Sequence, residues 1–450
     1  MRILLIWPLA STEPEWNADL GAISEPLSLE YLASAARLRG HEVRILDLRL
    51  HPDDLESVLG QFRPDLVGVT AYTMHVLAAL AVCRTVRANL PNARTVIGGH
   101  HATFLPEDFF AAEIDYVVCG EGVGPFRQLL HRLEADAPVA GIGGLWSRID
   151  GKFASGGPEA PFEVDSLPLP DRTLTGADRA SYFIDWMRPI ALVRTTVGCP
   201  FRCNFCSLWQ LMGGRYYMRA IDAVVAELAE IPEEFVFLVD DEAFINGHRM
   251  RELAAAIAAA GVRKRLFAYC RIDSLLRNRD VLAAWRDIGL ERIFVGIDAI
   301  TEKDLGEYRK KTRLSQIEEG IRAAEELGIE IFAQFVVNTD YEPRDFRRLV
   351  KFIEHHRIRF PTFTVLTPLP GTELLADFES VLPRQANGRP DWDQFDCQHA
   401  VTRTRMPLQE FHDAYRALYR RFRDRSGEFR AQHTAPAEPA IETTRKASSW

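Results

Sequence analysis

Three of the seven cysteines, Cys199, Cys203 and Cys206, fall inside VGCPFRCNFCS with C-x3-C-x2-C spacing. Thiols this crowded can form disulfides, chelate zinc or hold an iron–sulfur cluster. Disulfides fit poorly. The total is odd, and Cys83, Cys119, Cys270 and Cys397 are scattered in a way unlike a secreted framework. Structural zinc takes four protein ligands, and no second Cys or His pair is near, although a distant fourth ligand would complete such a site. A cubane held by three thiolates leaves one iron open to bind and activate a substrate. The cluster is the favoured expectation and zinc the alternative.

The chain that must position these thiols has 450 residues, 47% hydrophobic and 26% charged, as expected of a globular protein of two or three domains. A formal charge of −9 gives no footprint of a nucleic-acid binder and argues against a strong grip on anionic membrane. The opening MRILLIWP reads as a strand, not a leader, and the cysteine usage points to a reducing cytoplasm. Residues 66–83 carry no Asp, Glu, Lys or Arg, but Gly68, Thr70, Tyr72, Thr73 and His75 interrupt the run. A strand, a polar loop and a helix start fit it better than a membrane span.

Short apolar runs at residues 2–7, 43–48, 66–71, 94–99 and 116–120 alternate with helical patterns, which implies a doubly wound, Rossmann-like parallel sheet over residues 1–135. Residues 136–185 read as a connector with a hairpin turning at Asp150-Gly151. A second alternation, with strands at 191–198, 235–241, 266–273, 292–298, 329–338 and 363–371, suits a partial TIM-like (β/α)6 barrel over residues 186–375. Chemistry in such barrels gathers at the strands' C-terminal ends. Residues 376–430 form a helical C-terminal extension, and the polar tail 431–450 is expected to be disordered. The fold class is therefore α/β throughout.

The cysteine spacing, with Phe205 as the aromatic before the last thiol and a strand in front, resembles the signature of the radical S-adenosylmethionine (SAM) family. The resemblance covers roughly residues 190–375. It implies a [4Fe–4S] cluster on Cys199, Cys203 and Cys206, whose open iron is chelated by SAM. One-electron reduction, by a partner such as flavodoxin or ferredoxin, then releases a 5′-deoxyadenosyl radical. Asp240, Asp241 and Glu242 stand where that family places an acidic motif against the methionine amino group. Arg271, Asp273 and Asp298, at later strand ends, become candidates for carboxylate and ribose contacts, although Asp298-Ala299 departs from the Glu-Ser common in the family. Arg309 or Lys310 is a candidate carboxylate-binding cation, and Gln334 and Asn338 candidates to face the nucleotide.

The front domain lacks G-x-G-x-x-G after its first strand. Its strand-end loops, VTAYTMH, GGHHAT and CGEGVGPF, resemble those of the cobalamin-binding domain that precedes the barrel in a radical SAM subfamily. By this likeness Thr70, Tyr72, Thr73, Gly98, Gly99, His100, Gly120, Glu121 and Gly122 are cobalamin-binding candidates, with glycines admitting a bulky ligand. Residues 8–25 contain no histidine, so the D-x-H-x-x-G cobalt ligand is missing. Tyr72, Met74 or His75 could face the cobalt's lower side, but His75 fits a helix start better, and His100 and His101 read as loop residues.

The resemblance implies a cobalamin-dependent radical SAM C-methyltransferase acting on an unactivated carbon of a small hydrophobic molecule. The chain resembles hopanoid C-methylases first and tetrapyrrole- or pyrrole-modifying relatives next, and a lipid substrate would bring at most peripheral membrane contact. Phe332, Phe335, Trp209 and Leu211 are candidates for an apolar lining. A radical cyclase of tetrapyrroles and a non-enzymatic cobalamin or cluster sensor are the alternatives.

Overall fold

The computed structural model describes residues 1–10, 22–378, 381–386 and 388–433, with side chains through 422. The first strand, β1 (Arg2–Trp7), is followed by a two-residue β2 (Ala22–Ile23) and then β3 (Glu42–Asp47), β4 (Leu66–Thr70), β5 (Arg94–Gly98) and β6 (Tyr116–Val118). A hairpin, β7 (Leu145–Ile149) and β8 (Lys152–Ser155), completes the front sheet in the order β3-β1-β4-β5-β6-β7-β8. The first five strands are parallel and the hairpin antiparallel. Asp150 and Gly151, both with positive φ, make the two-residue turn. All five residues of β4 are buried, as helices on both faces require. The strand order reverses between β1 and β4. Loops diverge there and leave a crevice at the sheet's C-terminal edge.

Residues 66–83 divide into β4, a 3-10 turn at Thr73–His75 and the start of the helix Val76–Asn89. Among the described residues, no helix is long and apolar enough to cross a membrane.

The chain returns through β9 (Phe183–Ile184), which pairs antiparallel with β2, and enters the second sheet at β10 (Ile190–Val193). A small ribbon of β11 (Thr196–Val197) and β12 (Tyr217–Met218) precedes β13 (Phe235–Leu238), β14 (Arg265–Tyr269), β15 (Leu290–Asp298), β16 (Glu330–Val337) and β17 (Phe360–Val365). The order β10-β13-β14-β15-β16-β17 is parallel throughout and does not close, giving a partial barrel. Its lumen is packed with rings: Phe237 on Phe267 at 4.4 Å, Phe294 on Phe332 at 5.7 Å, and Phe332 on Phe360 at 6.1 Å between centroids.

Several barrel strands end short of expectation, β13 at Leu238 rather than 241 and β14 at Tyr269 rather than 273 among them. The run 191–198 stops at Val193, because the Asp240 carboxylate captures the backbone N–H of Thr195 (2.6 Å) and Thr196 (2.7 Å). The last strand lies three residues earlier than its start expected at 363 and ends at Val365, before the proline-punctuated TPLPG. The helix Leu408–His433 then covers β17, with the Tyr415 hydroxyl donating to the Phe363 carbonyl at 2.8 Å. Before it, Leu382, Trp392, Phe395 and Val401 cross back into the front domain's core. The tail expected to be disordered lies, from residue 434, outside the described residues.

A buried ion network joins the two sheets. Glu25 pairs with Arg172 and Arg179 and accepts the N–H of Leu192. Arg172 also reaches Glu227 at 2.7 Å, Arg219 reaches Glu227 at 2.6 Å, and Arg179 reaches Glu233. The Thr175 hydroxyl donates to Glu30 at 2.6 Å. Front domain, connector and barrel each supply members. Charges this buried are tolerable only because they are mutually paired.

Candidate functional site

The cysteine loop leaves β11 at Gly198, whose φ is +90°. A Cβ there would lie 2.2 Å from the Arg215 carbonyl, so only glycine makes the turn. The Gly198 N–H donates to Asp241 at 2.8 Å. Farther along, Asn204 Nδ2 donates to the Glu307 carbonyl at 2.8 Å, and the Asn204 carbonyl accepts from Glu373 N–H at 3.1 Å. Phe205 packs edge-on against Tyr308, 5.4 Å between centroids. The loop is thus fastened to the second, fourth and sixth strand ends of the barrel.

Cys203 is buried, and Cys199 and Cys206 are half-buried. Burial pushes the Cys199 thiol up to about 11 and the Cys206 thiol up to about 12. Such thiols stay protonated near neutrality unless cations take the proton's place, which iron does. Among the described residues, no three His, Cys, Asp or Glu side chains converge as a single metal ion requires. Cys203 and Cys199 both lie near enough to Cys206 to push its pKa further up, so the three thiols share one site, as a cluster held by three thiolates requires.

The acidic motif serves this loop first. Asp240 is fully buried and also accepts from the Thr195 hydroxyl at 2.6 Å, while Asp241 holds Gly198. Glu242 accepts the Arg271 N–H at 2.7 Å, and burial pushes its carboxyl up to about 7. A ligand ammonium arriving beside it would restore the carboxylate charge, so the residue fits that partner. Arg271 and Asp273 pair at 2.8 Å, and Asp298 pairs with Lys310. Lys310 is therefore not a free cation, and Arg309 pairs with Glu373 on the surface. Gln334 is spent on Thr362 (2.7 Å) and Thr364 (2.8 Å), and Asn338 bonds the turn that follows it.

Between the two sheets lies a cavity of about 830 Å³. From the front domain it is walled by Thr70, Tyr72, Gly98, Gly99, His100, Gly120, Glu121 and Gly122. Asp240 and Asp241 reach it from the barrel, whereas Thr73, Glu242, Arg271, Asp273 and Asp298 do not line it. Two glycines answer to the protein's own atoms: at Gly99 a Cβ would stand 2.9 Å from the Ala71 backbone N and O, and at Gly120 2.1 Å from the Glu159 side-chain carboxylate. The Tyr72 ring is 47% exposed into this space and stacks on His100 at 6.1 Å. The size, the two-domain walls and the ring platform fit a large, flat, mostly apolar cofactor.

His75 is buried, and its Nδ1 accepts the Tyr72 N–H at 3.3 Å as a turn cap, with its pKa lowered by burial to about 4. His101 is enclosed by Thr73 (3.3 Å), Asp108 (3.0 Å) and the Trp392 ring. Of the expected apolar lining, Phe332 and Leu211 face the cavity. Phe335 instead packs on Phe363 in the outer core, because residues three apart on a strand point to opposite faces. Trp209 does not line the cavity either; Arg202 lies over its ring.

Arg194 escaped the sequence reading. It lines the cavity, makes no side-chain hydrogen bond or ion pair among the described residues, and its charge lowers the pKa of Asp241 and Glu121 against the larger, raising effect of burial. An arginine inside the apolar run ALVRTTVG was the available signal that the strand ends there. Glu25 and Glu30 lay in plain view in EPLSLE, but nothing local tied them to Arg172 or Arg179.

Two family models match the chain: the B12 binding domain over residues 17–130 and the Radical SAM superfamily over residues 193–377. The chain is 34% identical over 399 residues to the hopanoid C-3 methylase of Methylococcus capsulatus, spanning 86% of this chain and 74% of that protein. It is 27% identical to an anaerobic magnesium-protoporphyrin IX monomethyl ester cyclase of Cereibacter sphaeroides, over 84% of this chain and 63% of that one. In fold it is similar to the radical S-adenosylmethionine methyltransferase TsrM of Kitasatospora setae, with a TM-score of 0.67 at 23% identity, covering 86% and 77% of the two chains.

Proposed function

We propose a substrate and site roles for a chain that belongs to the B12-binding radical SAM family and is a cobalamin-dependent radical SAM methyltransferase. The proposed reaction is transfer of a methyl group to an unactivated carbon of a polycyclic, hopanoid-type lipid. The single observation behind it is the cavity at the domain seam, whose barrel wall is mostly apolar apart from Arg194, Asp240, Asp241 and Thr362. Leu208, Leu211 and Met212 from the helix after the cysteines and Phe237, Phe294 and Phe332 from the lumen supply that wall. The 34% identity to a hopanoid C-3 methylase supports the lipid class.

When bound, a [4Fe–4S] cluster with SAM supplies a hydrogen-abstracting radical, and cobalamin supplies the methyl group. The protein's own part is placement. Cys199, Cys203 and Cys206 are assigned to the cluster. Glu242 and Asp241 are assigned to the ammonium of SAM, whose charge offsets their burial. Thr70, Tyr72, Gly98 to His100 and Gly120 to Gly122 are assigned to the cobalamin wall. The Phe237, Phe267 and Phe332 rings, 4.4 and 5.9 Å apart, make an apolar floor to the cavity, and substrate is assigned an entry along the seam. Electrons come from a small cytoplasmic reductase protein such as flavodoxin or ferredoxin.

The test is anaerobic reconstitution with cobalamin, reductant and methyl-labelled SAM, offered a bacterial lipid extract. The expected outcome is 5′-deoxyadenosine together with label in a polycyclic lipid. Label absent from lipid, with ring closure of a porphyrin ester and no gain of one carbon, would replace the methylation reading with the cyclase one.

A further inference from the structure

Arg271 follows β14 and is 9% exposed. Its backbone N–H is held by Glu242 at 2.7 Å. Its guanidinium is committed on every side: Nε donates to Asp273 at 2.8 Å, one terminal nitrogen donates to the Lys310 carbonyl at 3.0 Å, and the other points at Cys203 Sγ from 3.8 Å. Its plane lies 3.9 Å over the Phe201 ring. A planar fork carries five donors on three separate nitrogens, so it can serve acceptors spread around its plane, whereas a lysine's three donors all sit on one atom. Phe201 and Cys203 both belong to the cysteine loop, so one side chain grips that loop from its edge and its middle.

We propose that Arg271 is a positioning residue that acts on the cluster through Cys203, donating to its thiolate and raising the cluster's reduction potential. Reduction adds one negative charge to the cluster. A cation with an N–H aimed at a ligand sulfur stabilises that added charge more than it stabilises the oxidised form. The site is desolvated, so the effect is stronger than at a surface. Each of the fork's three nitrogens already has an acceptor within the protein. The arrangement thus gives Arg271 a task different from the ligand contact that its strand-end position suggests.

The inference rests on the reading that Cys199, Cys203 and Cys206 hold a [4Fe–4S] cluster. The full chain and its R271M and R271K variants are reconstituted anaerobically, iron and sulfide per chain are measured, and the cluster is titrated potentiometrically by EPR without SAM. R271M is expected to show a lower potential than the unmodified protein at equal iron content. R271K, which keeps the charge but not the three-way fork, is expected to fall between. If R271M assembles no cluster, a lowered potential in R271K still supports the proposal. Equal potentials in all three proteins would overturn it, as would iron loss in R271M with an unchanged potential in R271K, since both leave Arg271 a merely structural role. Failure of the unmodified chain to take up four irons would instead overturn the cluster reading beneath it.

Discussion

His100 Nε2 lies 2.7 Å from Ser207 Oγ, so the front domain touches the cysteine loop one residue beyond Cys206. His100 opens the short helix His100–Phe104, and at its far end Phe104 packs against Gly371, where a Cβ would stand 2.6 Å from the ring. One turn of helix therefore sits on both the first and the last loop of the barrel. Burial lowers the imidazole pKa to about 4, which keeps His100 neutral at physiological pH. If this contact sets how the cobalamin wall meets the cysteine loop, H100A should uncouple the two half-reactions. A neutral hydrogen bond contributes about 1 kcal/mol, so 5′-deoxyadenosine per methylated product should rise roughly fivefold. H100Q, whose amide can still reach Ser207, should restore the ratio. An unchanged ratio in H100A, measured by mass spectrometry of both products, would make the contact incidental.

Arg179 stands between Glu25, Glu30 and Glu233. Removing it leaves buried carboxylates from two domains without their shared cation. R179A should destabilise the chain by about 3–5 kcal/mol, the cost typical of breaking one side of a buried pair. Chemical denaturation followed by circular dichroism reads the change. A shift of the midpoint no larger than that of a surface Arg→Ala control would show that the network contributes little.

Glu30 gives the network a pH dependence. Burial first, then the neighbouring Glu25, pushes its carboxyl up to about 8 from the ordinary 4.5. The folded chain thus holds a proton that the unfolded chain has released. Its contribution to stability is full below about 4.5, declines as pH rises, and is gone above about 8. E30Q carries a permanent equivalent of the protonated form. It should flatten the loss of stability between pH 5 and 8, and parallel pH profiles for E30Q and the unmodified chain would count against the assignment.

Much of the fold was legible locally. Both sheets, the hairpin at Asp150-Gly151 and the polar break after Thr70 follow from periodicity and turn chemistry, which act over a few residues. The site was legible in kind more than in detail. Asp240, Asp241 and Glu242 do stand at the cysteine loop, yet Asp240 is spent on Thr195 and Thr196, and Lys310 neutralises Asp298. Phe332 and Phe335 look alike in FAQFVVN, and only the strand's pleat sends one to the cavity and the other to the outer core.

The sequence by itself determined the two alternating α/β units, the three thiols and their order behind a strand, because each depends on neighbours along the chain. Tertiary structure alone decided which polar side chains face one another. Glu25 meets Arg179, His100 meets Ser207, and Arg271 meets Cys203, pairs separated by 154, 107 and 68 positions. Contacts at such separations are set by how the sheets and their helices pack, and no local pattern of residues encodes them.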